Sequence, residues 1–311
     1  MGASGRVTLN DVAAASGVSR STAGFVLTND PNQTISPATR ERVRQAAREL
    51  GYVPHGVARA LREGTSRVVV LDIDWGLDEG NYARSYIRGL DDELAKHEHA
   101  LLVRHGFGTS QTTQQILHAI APRAVIRFAE PYKTGHDLED MGGGWKDGLA
   151  AHTALQLGYL VDQGHSRIAL ALPSAHTPLT EARRRLATQH AKSRALPPLA
   201  CFDIPRSRDA AAEAVDRLRR EHPEVTAIAA FTDDIALRAV TALHDLGFAV
   251  PRDVAVIGFD DTEYGGLITP ALTTVHIDAE AHGRLAARTV LGLDETGLRP
   301  TPARIIVRDS A

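Results

Sequence analysis

Short apolar runs alternate with helix-length stretches from residue 68 onward, and this pattern constrains the fold more than any other feature. The runs are VVVLDI (68–73), ALLV (100–103), AVIRF (124–128), RIALAL (167–172), VTAIAAF (225–231) and DVAVIGFDD (253–261). A strand without polar alternation is covered on both faces, the situation of a parallel sheet between helices. Between the runs lie YARSYIRGLDDELAKHEH (82–99), HTALQLGYLVDQG (152–164), AAEAVDRLRREHP (211–223) and ALRAVTALHDLGF (236–248). Strand and helix in turn predict an α/β architecture with parallel sheets. ARIIVRDSA (303–311) reads as a final strand and tail.

The first sixty residues follow another rule. In TLNDVAAASGVSRSTAGFVLT (8–28), Thr8 can cap a helix and Asp11 stands three positions on, a carboxylate version of the capping box. Gly17 can end that helix at positive φ. Ser19 can cap a second helix, Arg20 to Leu27. Val12, Val18, Ala23, Val26 and Leu27 can meet across the turn. This is a helix-turn-helix unit, or an ordinary helical hairpin. Ser36-Pro37 opens a third helix with Val43, Ala46, Ala47 and Leu50 on one stripe and Gly51 at its end. Pro54 can begin a further short helix carrying Val57, Ala58 and Leu61. Residues 1–64 carry eight Arg against five acids, a net +3. The whole chain is −3, so the remainder is −6. A basic tip on an acidic body suits contact with a polyanion at one end.

VTLNDVAAASGVS (7–19) and SPATRERVRQAARELGYVPHGVARAL (36–61) resemble the headpiece of the LacI/GalR family of bacterial transcription regulators. FTDDIAL (231–237), VPRDVAVIGFDD (250–261) and PALTTV (270–275) resemble later stretches of the same family. The resemblance implies an N-terminal all-α helix-turn-helix headpiece and an α/β, periplasmic-binding-protein-like body of two doubly wound parallel-sheet subdomains. The expected divisions are a DNA-binding domain over 1–53, a hinge helix and linker over 54–66, and an effector-binding and dimerisation domain over 67–311. Within the last, one subdomain spans about 67–163 and 276–299, the other about 164–275 and 300–311. No internal repeat marks the two halves.

The resemblance also implies function: a repressor that binds a palindromic operator in double-stranded DNA as a homodimer, under a small-molecule effector, a sugar or sugar derivative. Helix two enters the major groove with its first residues at base edges. Arg20 and Ser21 are then the base readers, while Asn10, Ser19 and Thr22 contact phosphate, and Thr8 joins them in the DNA-binding set. Where the family has a Ser-Arg pair, this chain has Gly24-Phe25. Phe25 cannot make a bidentate contact to guanine but can touch a thymine methyl. Leu61, with Ala58 on the same hinge helix, aligns with the leucine that the family wedges into the minor groove.

Ligands of open α/β sheets bind beyond the carboxyl ends of strands. Asp72, Asp74 and Trp75 follow the first run, Asp233 and Asp234 the fifth, Asp260 and Asp261 the sixth. Some of these are expected as helix caps. Asp74 and Trp75 are effector candidates by this rule, with Glu130 after the third run, and the resemblance implies Asp233 and Asp260, which match family positions that contact the effector. In ARRRLATQ (182–189) the register of the resemblance points to Arg185 as an arginine opposite Asp260, although three successive Arg also suit a solvated face.

Other features narrow the class. GGGWK (142–146) lacks the Lys-Ser/Thr of a phosphate loop. HEH (97–99) lacks metal-ligand spacing. No catalytic constellation stands out, so neither enzyme activity, cofactor nor metal is expected. The single Cys201 fits a reducing compartment. MGASGRVTLND has no hydrophobic signal segment and no run reaches membrane-span length, which predicts a cytoplasmic protein. A sugar-processing enzyme or a solute-binding protein with an accessory DNA-binding tip are the alternatives.

Overall fold

The computed structural model describes residues 7–27, 33–52, 65–73, 80–106, 110–128 and 148–311. The chain divides into two compact units, Met1–Arg67 and Val68–Ala311.

The first unit holds α1 (Leu9–Ser16), α2 (Arg20–Leu27) and α3 (Pro37–Glu49). Each boundary has a local cause. The Asp11 carboxylate accepts from both the backbone N–H and the hydroxyl of Thr8, at 2.7 Å each. Gly17 takes φ 63°, and Val18 N–H closes on Ala13 O. Ser19 Oγ accepts from Thr22 N–H, and Ser36 Oγ from Thr39 N–H. Val12, Ala13, Ala23, Val26, Val43, Ala46 and Ala47 form the buried centre, flanked by Val18, Leu27 and Tyr52. Leu50 departs from the expected stripe: it caps α3 and stands exposed, and Tyr52 covers that end of the core.

In the second unit, β1 (Val68–Ile73) pairs in parallel with β2 (Ala100–His105) and β3 (Ala124–Arg127), in order β2-β1-β3. Helices α4 (Asn81–Lys96) and α5 (Gln111–Ile120) connect them in sequence. A second parallel sheet has order β5-β4-β6-β7, from β4 (Ile168–Pro173), β5 (Ala200–Ile204), β6 (Ala227–Ala230) and β7 (Ala255–Ile257). Helices α6 (Leu149–Asp162) and α7 (Pro178–Ser193) pack together, as do α8 (Arg208–Glu221) and α9 (Asp233–Asp245). β4, β6 and β7 are buried at every position, which accounts for their unbroken apolar runs. β8 (Thr274–His276) and β9 (Arg304–Ile306) form an antiparallel pair, and α10 (Ala279–Leu291) lies between them in sequence.

One expectation changes here. α6 buries Leu157 and Leu160 in the core of the second sheet, so residues 149–162 belong with that sheet and not, as expected, with the first. β5 was not legible: it is short, part-exposed and follows two prolines. α10 packs along α4, and Ala279 and Ala287 join Val69, Leu71 and Leu90 in the first core. The chain thus returns to the first sheet after β8, and its last residues return to the second: Ser310 Oγ donates to Val256 O.

Candidate functional site

Two surfaces carry candidate chemistry, one in each unit. In the first unit, Ser19 caps α2 and leaves Arg20 and Ser21 exposed on its opening turn. Thr8 and Asn10 are exposed at the start of α1, and Thr22 is half-buried with its hydroxyl 2.8 Å from that of Ser19. Phe25 is half-buried on α2. A Cβ on Gly24 would meet Leu9 Cδ2 at 3.6 Å, ordinary contact, so sterics alone do not demand glycine there. Ala58 and Leu61 lie outside the described residues.

In the second unit, the strand-end acids have distinct roles. Both oxygens of Asp233 serve the fold: Oδ1 accepts from Phe259 N–H (2.7 Å) and the Thr274 hydroxyl, Oδ2 from Thr262 N–H (2.6 Å). Asp233 is fully buried, and a Cβ at Gly258 would lie 2.1 Å from its Oδ1. This corrects the effector role expected of Asp233: its oxygens are committed to the 258–262 turn and β8. Asp261 pairs with Arg308 (2.9 Å) and His276 (3.0 Å), and Asp72 makes a two-pronged pair with Arg104 across β1 and β2. Asp74, Trp75 and Glu130 lie outside the described residues.

Asp260 differs from its neighbours. It is buried and sits at φ 96°, a region few non-glycine residues adopt. Its Oδ2 accepts from Asn81 N–H (2.8 Å) and Tyr82 N–H (3.4 Å), whereas its buried Oδ1 has no hydrogen-bond partner among the described residues. Burial raises its pKa well above the carboxylate range, the Asp233 charge adds to this, and the Asn81 and Tyr82 amides oppose it.

The arginine beside Asp260 is Arg183, not Arg185. Residues 180, 183, 187 and 191 line the buried face of α7, and Arg185, two positions on, turns to the exposed face. That helical spacing was the available signal, and it outweighs the register of the resemblance. Arg183 is fully buried, with its guanidinium carbon 3.6 Å from the Phe259 ring centroid. Nη1 donates to Thr153 Oγ1 (2.8 Å), Nη2 to Gln156 Oε1 (2.6 Å), and Nε is buried without a partner among the described residues. Gln156 in turn donates to Ala230 O and Gly258 O, tying Arg183 to the ends of β6 and β7. Burial lowers the Arg183 pKa, and the charge of Asp260 works against that.

Aromatic and imidazole groups complete the site. Phe259 stands edge-on to His152, and Tyr82 lies beside Tyr86, Phe128 and His282. Tyr82 Oη is 3.0 Å from His282 Nδ1. Burial first, then the charges of His282 and Arg183, bring His152 down to about 4, so it is neutral at pH 7. None of Thr153, Gln156, His152, Tyr82 or His282 was singled out from sequence, since each lies inside a helix. Among the described residues, Asp260 Oδ1 and Arg183 Nε are both buried and unmatched, so the one can accept from a ligand and the other can donate to it.

Residues 8–55 match the bacterial regulatory proteins of the lacI family, and residues 157–311 match the periplasmic binding protein-like domain. The chain belongs to the lacI family of bacterial regulatory proteins. This lacI-family chain is 27% identical over 314 residues to the ribose operon repressor of Escherichia coli K12, covering 90% of each. It is 26% identical over 297 residues to catabolite control protein A of Priestia megaterium, covering 86% of this chain and 87% of the relative. A crystal structure of the lac repressor dimer, bound to operator and an anti-inducer, superimposes with a TM-score of 0.77 at 22% identity, covering 98% of this chain and 99% of that one. The family's two-part architecture accounts for the two surfaces: a helix-turn-helix DNA-binding headpiece and a binding-protein-like body. The lacI-family protein is a DNA-binding transcriptional regulator.

Proposed function

We propose that this regulator is a repressor that pairs as a homodimer, reads a palindromic operator through α2, and answers to a carbohydrate held at Arg183 and Asp260. The organisation that goes with this reading is a headpiece over 1–53, a hinge over 54–66 with Leu61 as the minor-groove wedge and Ala58 beside it, and a body over 67–311. The protein works in the cytoplasm, where its operator is, and carries out no turnover.

The observation that carries the reading is the opening turn of α2, with Arg20 and Ser21 exposed behind a Ser19 cap. A helix offered by its N-terminal end brings those side chains to base edges and its backbone amides to phosphate. Phe25 supports a half-site that differs from the guanine-reading pattern of the family at one position. The effector reading rests on Asp260 Oδ1 and Arg183 Nε: sugar hydroxyls can donate to the first and accept from the second. Phe259 and Tyr82 supply apolar faces for the ring.

The test is a binding competition. Arg20→Ala should relax preference at one position of each half-site, at about 1–3 kcal/mol of discrimination, with little change on random duplex. Leu61→Ala should weaken binding to the palindrome and leave random DNA nearly unaffected. Equal preference for all four bases in wild type and Arg20→Ala would remove α2 from base reading.

A further inference from the structure

We propose that the outer edge of the second sheet carries a second ligand site, a groove over β5 between α7 and α8 that takes a free amino acid with an apolar side chain. The groove shares no residue with the Arg183–Asp260 site and does not depend on the effector reading.

The topology makes the groove. β5 is the edge strand of the order β5-β4-β6-β7, and among the described residues only β4 pairs with it. The steps from β4 to β5 and from β5 to β6 run in opposite directions. Right-handed crossovers then put α7 and α8 on opposite faces and leave the strand edge between them. A cavity of about 340 Å³ lies there, in the size range of small-molecule sites. Cys201 and Asp203, two apart on β5, share one face of the strand, and Phe202 turns to the other. Arg184 enters the lining from α7, next in sequence to the fully buried Arg183. Arg217 and Glu221 enter it one turn apart on α8.

The charged groups decide the ligand. Arg184 Nε is buried with no hydrogen-bond partner among the described residues, and Glu181 Oε2 stands 4.0 Å from it. The side chains of Arg217 and Glu221 make no ion pair or hydrogen bond among the described residues. Asp203 Oδ2 lies 3.7 Å from His176 Nε2. Apart from its histidines, the lining thus holds two guanidiniums and two carboxylates. A polyanion would be opposed by both acids. A zwitterion satisfies both signs: its carboxylate takes the N–H donors of arginine, and its ammonium donates to Asp203 or Glu221. Phe202, Ala214 and Leu218 give the apolar wall against which its side chain packs.

Labelling of the full-length protein with N-ethylmaleimide, read by intact mass, tests the site. Cys201 is the single cysteine of the chain, is exposed and lines the groove, so the label reports there alone. Millimolar L-leucine or L-phenylalanine should slow labelling at least fivefold. The counterparts that lack the ammonium or the carboxylate should not: isocaproate and isoamylamine for leucine, hydrocinnamate and phenethylamine for phenylalanine. Arg217→Ala and Glu221→Gln, both at exposed positions, should raise the half-protecting concentration at least fivefold. No protection by either amino acid would overturn the proposal. So would equal protection by a singly charged counterpart, or an unchanged half-protecting concentration in either variant.

Discussion

At the residue scale, Gln156 links Arg183 to the second sheet. It is fully buried, accepts from Arg183 Nη2 and donates to two strand-end carbonyls. Removing it leaves a buried cation and two carbonyls short of partners. Gln156→Ala should destabilise by about 3 kcal/mol in urea unfolding, the range for breaking a buried charged network. Arg185→Ala, one turn face away and exposed, should stay within about 0.5 kcal/mol of wild type. His152 gives a pH signature. Its folded pKa is about 4 against a usual 6.5, so between those values the unfolded chain binds a proton that the folded chain refuses. Stability from this group is therefore full above pH 6.5 and is lost as pH falls toward 4. His152→Leu should flatten that slope by a few kcal/mol in all, measured by urea midpoints at pH 7 and pH 5.

At the element scale, two glycines let α4 and α10 cross in backbone contact. A Cβ on Gly89 would lie 2.0 Å from Glu280 O, and one on Gly283 would lie 2.1 Å from Tyr86 O. Gly283→Ala should cost about 1–3 kcal/mol by overpacking. Gly266→Ala, with nothing within 4 Å, is the matched control; thermal midpoints of the two should separate clearly. The same elements show what the sequence could and could not disclose. Caps at Thr8, Ser19 and Ser36 were readable because each bond is local. β1, β4, β6 and β7 were readable because burial on both faces removes polar residues. β5, at the sheet edge, is only partly buried, carries Asp203 and left no unbroken apolar run. Asp233 and Asp260 look alike in sequence, and only the amides and hydroxyl that reach them in the fold separate a structural acid from one with an oxygen to spare.

At the scale of the whole molecule, the two sheets share an order that the sequence does not announce. β2-β1-β3 and β5-β4-β6 both place the second strand outside the first and the third on its other side. The likeness is one of connection, since each half needs only parallel strands joined by crossover helices. Among the described residues no helix is long and apolar enough to cross a membrane. The body's role as a sensor requires reciprocity: if a sugar alters operator affinity by some factor, operator must alter sugar affinity by the same factor. Calorimetry with and without duplex should return equal coupling in both directions. The central claim, that paired copies of α2 read an operator, is tested most directly by selecting binding sites from a random duplex library at fixed salt, with and without D-ribose, D-glucose and D-galactose. The account predicts an enriched palindrome of two inverted half-sites, with one position in each altered by Arg20→Ala. Recovery of a single asymmetric site, or of no enriched sequence under either condition, would contradict it.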